Sequence, residues 1–557
     1  MKSFLVAGHF RPTKSAVVDG QDAILSPREE REALALKPWQ QAALLAGITF
    51  AAFSATLSAD FVYDARMQIL SGDFIHDWRN WPAVLTGCVL GMDVLDFNRP
   101  AMLASLMLDA AVWGREPFGY HLTSVLMHVA NVLLAWLVVR ELTDAEGRPE
   151  QVLAPLLAAV VFAVHPVVTE AVCEPTFRED LLVALCTLSA LVLAMRHDPA
   201  TPGFDTRRAI GCTALCLLAI ASKEAGIVAP MLLAAYWWLF RRGEPGHFWA
   251  VTIGSAKLVV VAFLAARFLL EPSPSSIFES KPEYPGGSLS QAMLIEPRIL
   301  ALYAQLVLVP VNLCADYGLA SVSHLPLPLA LGLLAAIAVA GAIAARHDRR
   351  LLFAYALILL PLVPVANLIP IYRAAADRYL YLPMAGVALA VACLLDAPWL
   401  AGRTTLRQRI LVGCMAVVAA LGMACIERQT VWANSLALWD DSYRKNPGSV
   451  TTATGLGEAL REAGRLPEAE QFTREAIRLS NGERGDVWAT LALILDEQGR
   501  AADSAAAIAK ALELEPRLSD PEARVKSLAM DRAMAEDLKR LLGTTKVGWP
   551  EREKTAY

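Results

Sequence analysis

The sequence predicts an all-α chain in which a polytopic membrane bundle of about eleven spans leads into a C-terminal α-solenoid. Three observations carry that prediction: uneven charge, a series of apolar runs of membrane-crossing length, and a 35-residue repeat near the C-terminus. Of 557 residues, 55% are hydrophobic and 19% charged, against about 25% charged in ordinary soluble domains. From Trp432 to Tyr557, 39 of 126 residues are Asp, Glu, Lys or Arg, about 31%, whereas the preceding 431 residues hold 66, about 15%. The first part is too apolar for a soluble domain, and the second is too polar to lie in lipid.

Apolar runs of the length needed to cross a bilayer, about 20 residues, fall near 41–58, 118–139, 152–171, 180–195, 209–222, 226–240, 248–270, 325–345, 351–370, 380–396 and 410–426. The first starts behind a forty-residue polar lead, too deep for a cleavable signal peptide, so it is expected to remain as an anchor. Basic residues then set the orientation. Lys2, Arg11, Lys14, Arg28, Arg31 and Lys37 mark the lead. Later clusters are Arg140 and Arg148, Arg196 to Arg208, Arg241 and Arg242, Arg346 to Arg350, and Arg403 to Arg409. All are cytoplasmic only if the stretch 293–311, which carries Glu296, Pro297, Arg298 and Pro310, does not cross. Read as re-entrant or interfacial, it leaves an odd number of spans, a cytoplasmic N-terminus and an extracytoplasmic C-terminus.

The expected organisation is a lead over 1–40, a membrane domain over 41–431 with an external loop 59–117, a repeat domain over 432–542 and a tail over 543–557. In the repeat domain Gly464-Arg465 recurs as Gly499-Arg500, Ala476 as Ala511 and Leu479 as Leu514. That period, with small residues at helix-packing positions and Pro516 closing the unit, matches tetratricopeptide helix–turn–helix repeats. Residues 432–446 read as the second helix of a preceding half-repeat, and 519–542 as a polar capping helix. A peptide-binding groove and a purely structural solenoid both fit this unit.

The candidate functional residues gather on the external side. Asp60 and Asp64 flank Phe61-Val62-Tyr63 just beyond the first run. An acidic group among aromatics at a membrane edge is costly unless used or paired. Asp64 fits either a general base for a hydroxyl acceptor or a helix cap; Asp60 fits a cap. Arg99, Arg178, Lys223 and Arg378 share that surface, interleaved with Asp180, Glu224 and Asp377, while His165, Glu170, Tyr379 and Tyr381 lie beside them in the chain. Guanidinium groups there suit a phosphate ester whose lipid tail stays in the bilayer.

A net charge of −5 without a basic run gives no reason to expect nucleic acid. No Gly-rich phosphate loop, zinc spacing or nucleophile elbow is present, so no metal and no cofactor are expected. His121 and His128, two turns apart, read as packing or hydrogen-bonding residues. The nine cysteines, mostly inside apolar runs, read as small buried side chains.

Phe61-Val62-Tyr63-Asp64, a following Asn98-Arg99-Pro100, the block from Phe162 through His165-Pro166 and Glu170 to Arg178-Glu179-Asp180, then Ser222-Lys223-Glu224 and Asp377-Arg378-Tyr379-Leu380-Tyr381-Leu382-Pro383 stand in this order. With the C-terminal repeats, this series over about residues 41–516 resembles the transmembrane and tetratricopeptide-repeat-containing protein family. The resemblance implies a GT-C-type, inverting glycosyltransferase in a multi-pass membrane domain. Its donor would be a polyprenyl-phosphate-linked sugar, mannose first, serving as co-substrate. The acceptors would be Ser/Thr hydroxyls of extracytoplasmic proteins, engaged in part by the repeats.

The resemblance assigns the base to Asp64. Arg99, Arg178, Lys223 and Arg378 are expected at the donor phosphate, with His165, Glu170, Asp180, Glu224, Asp377, Tyr379 and Tyr381 supporting them. Two positions depart from the family pattern: Ala65 stands where it has a second acid, and Val168 where it has a second His. The short repeat array points to a bacterial relative, with the bundle in the cytoplasmic membrane and the repeats in the periplasm. Two other functions compete: a non-catalytic membrane-anchored scaffold, which leaves the external charges unexplained, and a lipid-linked sugar flippase or polymerase, which would carry more charge in its span centres.

Overall fold

The computed structural model describes residues 36–91, 94, 96–143, 153–198, 205–244, 247–269, 283–318, 322, 325–400, 402–522 and 530–544. Most of the lead, Arg148, residues 271–282 of the external stretch and nearly all of the tail lie outside the described residues. Among the described residues every regular element is helical.

Each of the eleven apolar runs is realised as helix, in order from Pro38–Ala52 to Thr404–Val431. Proline opens several of the helices, as at Pro38, Pro100 and Pro383, where its missing N–H costs nothing. Asp205 and Ser288 cap others by accepting from Arg208 N and Gln291 N. The Leu153–Val164 and Arg178–Met195 helices form the centre, with Ala158, Phe162, Ala184, Leu188 and Leu191 fully buried. The Thr404–Val431 helix is peripheral and exposes Val412, Met415, Val417, Met423 and Ile426, an apolar surface suited to lipid.

Among the described residues three helices are long and apolar enough to cross a membrane: Pro117–Thr143, Leu289–Leu308 and Thr404–Val431. Two bent pairs, Pro38–Ala52 with Ser54–Ser71 and Leu153–Val164 with Pro166–Cys173, bring that number to five among the described residues. The other runs make shorter helices. The 48° bend in the second pair sits at His165-Pro166, where proline drives the residue before it out of the helical region (φ −73°, ψ 128° at His165).

The stretch expected to be re-entrant or interfacial forms a continuous 20-residue helix, Leu289–Leu308, whose length and composition also suffice to cross. Pro297 is accommodated inside it. Its contacts run along the bundle's polar end. Asn367 Nδ2 donates to Glu296 (2.9 Å), Arg298 to Leu325 O (3.2 Å), and Tyr303 Oη accepts from Ala376 N (3.3 Å).

The C-terminal helices, Ser435–Lys445, Val450–Glu462, Leu466–Leu479, Gly485–Glu497, Ala501–Leu514 and Arg532–Thr544, pack on this same end. The 35-residue period appears in their turns. Gly464 and Gly499 take φ of 71° and 77°, and the next residues, Arg465 and Arg500, each return an N–H 2.9 Å to Leu460 O and Leu495 O. This helix ending places a glycine in the left-handed region, where other residues are strained. Asn434 caps the first helix through Ala437 N at 2.9 Å, worth about 1 kcal/mol. Asp60 N donates to Ala433 O (3.0 Å), Arg66 forks onto Glu462 (2.6 and 2.7 Å), and Arg532 reaches Ser71 and Asp73. The unit is thus fastened to loop 59–73. Where a capping helix was expected over 519–542, the helix is Arg532–Thr544, and 523–529 lie outside the described residues.

Candidate active site

Asp64 stands in a three-residue helical turn, Tyr63–Ala65, held by its neighbours. Tyr63 has φ +50°, a conformation uncommon for a non-glycine residue that persists only where the surroundings enforce it. Ala65 is fully buried, and its N–H donates to Glu174 Oε1 at 3.0 Å. Glu174 is itself buried and accepts from Thr176 Oγ1 at 2.7 Å. The Tyr63 ring lies between Phe177, edge-on at 5.7 Å, and Trp439 of the C-terminal unit, stacked at 5.4 Å and 25°. These contacts fix the backbone and leave the Asp64 side chain exposed. Among the described residues no hydrogen bond or ion pair engages its carboxylate. The charges that act on it most strongly are Arg378, Arg373, Glu179 and Arg99.

Arg378 is set by Glu170, which accepts from its backbone N (2.9 Å) and forms a short ion pair with Nη1. Its guanidinium lies 3.9 Å over Phe177 and 5.3 Å over Tyr379. Lys223 Nζ bridges Asp180 (2.7 and 2.8 Å) and Glu179 (3.0 Å) and faces the other contact on Tyr379 at 5.3 Å. The Lys223 turn is tight because a Cβ on Gly226 would stand 2.2 Å from Ala219 C and O. Arg99 pairs with Asp96 (2.7 Å), with Glu179, and at 3.6 Å with Glu224, which also accepts from Asn98. Arg373 pairs with Asp316 and lies 5.7 Å over the Tyr63 ring. The result is a recess with one unpaired carboxylate and four cations, each cation anchored by at least one acid. A desolvated acid–cation network of this kind holds its donors in place for an incoming anion.

The structure brings together Asp64, Arg99, Glu170, Asp180, Lys223, Glu224, Arg378 and Tyr379 from the expected set. It places four others elsewhere. Arg178 is fully buried and spends its donors on Asp109 (2.6 Å), Ser105 Oγ, Pro175 O and Tyr120 O. Its donors are thus engaged within the protein core. Asp377 does not orient a cation of the recess; it accepts from Tyr317 Oη at 2.5 Å. Tyr381 is fully buried, with its hydroxyl 2.7 Å from His128 Nδ1 and 3.1 Å from Asn131 Nδ2. His165 takes the N–H of Val167 (3.2 Å) and contacts Val307 O (3.0 Å), tying the bend to the Leu289–Leu308 helix.

Glu174, Glu179, Arg373 and Trp439 were missed by sequence reasoning. Glu179 stood inside a motif already singled out and Arg373 just ahead of Asp377-Arg378-Tyr379, so a census of charges around the motifs would have found both. Glu174 and Trp439 gave no local signal, because their contacts with the Asp64 turn span more than a hundred residues.

No protein-family model matches the chain. It aligns with a protein O-mannosyl-transferase of Caenorhabditis elegans at 24% identity over 454 residues, covering 78% of this chain and 62% of that protein. The protein O-mannosyl-transferase Tmtc3 of Drosophila melanogaster matches at 24% over 459 residues, covering 70% and 49%. Its homologues are protein O-mannosyl-transferases. The homology agrees with the resemblance carried by the ordered motifs. The chain spans about half to three-fifths of the length of these curated relatives. Among solved structures, ArnT from Cupriavidus metallidurans bound to undecaprenyl phosphate superposes with a TM-score of 0.38 at 15% identity, covering 83% of this chain and 78% of that one.

Proposed function

We propose that this protein is an inverting membrane glycosyltransferase, of GT-C type, that moves a sugar from a polyprenyl-phosphate donor to Ser/Thr hydroxyls of extracytoplasmic proteins. The observation that carries the proposal is the unpartnered Asp64 carboxylate in a recess whose cations are all held in place. Asp64 accepts the hydroxyl proton as that oxygen attacks the anomeric carbon, and the bond from that carbon to the phosphate oxygen breaks on the opposite face. Negative charge grows on the leaving polyprenyl phosphate, where Arg378, Arg373 and Arg99 lower its energy, with Lys223 behind them. Glu170, Glu179, Asp180 and Glu224 keep those cations aimed at the recess. The names of the homologues support mannose as the sugar.

In this reading the bundle lies in the cytoplasmic membrane, and the C-terminal helices form a short tetratricopeptide solenoid on the extracytoplasmic side. The fastening of that unit to loop 59–73 supports a role in presenting acceptor protein to Asp64. The test is mass spectrometry of extracytoplasmic proteins from cells with and without the gene. Loss of hexose from Ser/Thr peptides supports the proposal; unchanged glycans favour the non-catalytic scaffold.

A further inference from the structure

One cation of the recess is tied to the C-terminal unit. Asp316, in the segment after the Leu289–Leu308 helix, has a side chain only 8% exposed and pairs through Oδ1 with Arg373. Its other oxygen accepts from Ser449 Oγ at 2.6 Å, and its backbone oxygen accepts from Asn446 Nδ2 at 2.9 Å. Ser449 also caps the Val450–Glu462 helix through Thr452 N, so a helix terminus of the C-terminal unit is built onto Asp316. The fit is close: a Cβ on Gly318 would lie 2.7 Å from the Asn446 amide. Lys445 Nζ adds a bond to Leu313 O at 2.7 Å.

Arg373 differs from the other three cations. Its side chain is 28% exposed, against 10% for Arg378 and 8% for Lys223, and Arg99, at 23%, is held by more acids. Arg99 shares three acids, whereas Arg373 has Asp316 as its single ion-pair partner among the described residues. A guanidinium with one anchor and open donors beside Asp64 is the one best able to fork onto an anion.

Building on the glycosyl-transfer reading, we propose that Asp316 is a positioning residue through which the C-terminal unit sets Arg373 against the donor's phosphate. Ser449 and Asn446 fix Asp316, Asp316 fixes one end of the guanidinium, and the free end faces the recess. Docking of the C-terminal helices is thereby a condition for donor binding as well as a way to present acceptor.

The test uses the full-length protein in detergent and three variants. Asp316→Asn keeps the shape and removes the charge. Ser449→Asp retains a helix cap but sets a carboxylate against Asp316. Ser449→Thr keeps the hydroxyl. KM for a short polyprenyl-phosphate sugar and KM for an acceptor peptide are measured separately, together with phenylglyoxal modification of Arg373 read by peptide mass spectrometry. Asp316→Asn and Ser449→Asp are expected to raise the donor KM about five- to twenty-fold with the acceptor KM unchanged, and to raise Arg373 modification. Ser449→Thr restores both. Equal rises in donor and acceptor KM, or unchanged Arg373 modification, overturn the proposal. If the wild type transfers no sugar and binds no polyprenyl phosphate, the glycosyl-transfer reading falls, and donor positioning falls with it. Arg373 modification then reports separately whether the Ser449–Asp316–Arg373 link exists.

Discussion

Replacing Arg178 with alanine separates a structural cation from a catalytic one. Arg178 is fully buried, with its guanidinium 2.6 Å from Asp109 and further bonds to Ser105 Oγ, Pro175 O and Tyr120 O. Alanine leaves the Asp109 carboxylate, almost as deeply buried, with the hydrogen bond from Thr123 Oγ1 at 2.7 Å as its remaining contact among the described residues. Breaking a buried pair by removing one member costs about 3–5 kcal/mol, because the other charge stays desolvated. Three freed acceptors and the lost side-chain volume add to that cost. The expected result is a fall in the thermal midpoint of the detergent-solubilised protein on the order of 5 °C, given how stability changes scale with midpoint in large domains. The double variant Arg178→Met with Asp109→Leu removes both charges and should recover most of the loss. Donor KM should stay within about twofold for whatever fraction remains folded. An unchanged midpoint with a tenfold or greater rise in donor KM would refute this reasoning and return Arg178 to the phosphate.

Arg378→Ala removes a cation that faces the recess. Loss of a charge-assisted contact to phosphate costs about 1.5–3 kcal/mol, so donor KM should rise roughly ten- to a hundred-fold in steady-state kinetics. Glu458, in the C-terminal unit, has its carboxyl pushed up to about 7 by burial and by Asp531, Asp486 and Glu462. Its folded value lies above its unfolded one, so its stability contribution is complete below about pH 4.5 and is lost as pH rises through 7. Glu458→Gln should therefore raise the thermal midpoint at pH 8 and change it little at pH 4.5. Sidedness is checked with the exposed Cys88 of loop 59–117 and a Glu483→Cys variant in the C-terminal unit. A membrane-impermeant maleimide should label both from the extracytoplasmic side of right-side-out vesicles, and labelling of only one would break the shared face.

The helical bundle was legible because apolar runs report burial or lipid contact whatever their partners. Helix lengths were not, since His165-Pro166 and the passage from helix to 3-10 turn at Leu360 depend on local backbone geometry within a uniformly apolar run. The re-entrant or interfacial reading of 293–311 rested on keeping every basic cluster on the cytoplasmic side, with two prolines and two charges within the stretch. Pro297 is absorbed in a continuous helix, and Glu296 finds Asn367 seventy-one residues away. For the recess, position along the chain was enough to gather Asp64, Lys223 and Arg378 at one end. It could not tell a cation facing the recess from one facing the core. Arg178 follows Glu174 and precedes Glu179 in the chain, yet Glu174 holds the Asp64 turn, Glu179 joins the recess, and Arg178 points to Asp109. Helical periodicity turns successive residues about 100° apart, and the partner that decides the matter lies on another helix.

The most direct measurement of the central claim is single-turnover sugar transfer by Asp64→Asn, beside Asp60→Asn and the wild type. The substitution keeps the size of the side chain and removes its basicity, while the turn remains held by Glu174 and by the rings of Phe177 and Trp439. Transfer by Asp64→Asn should fall at least a hundredfold, in line with the loss of a general base, with donor binding and thermal midpoint close to wild type. Asp60→Asn should stay within about threefold of wild type. Near-normal turnover by Asp64→Asn would contradict the account, because Glu170, Glu179, Asp180, Glu224 and Asp316 are each engaged by a cation.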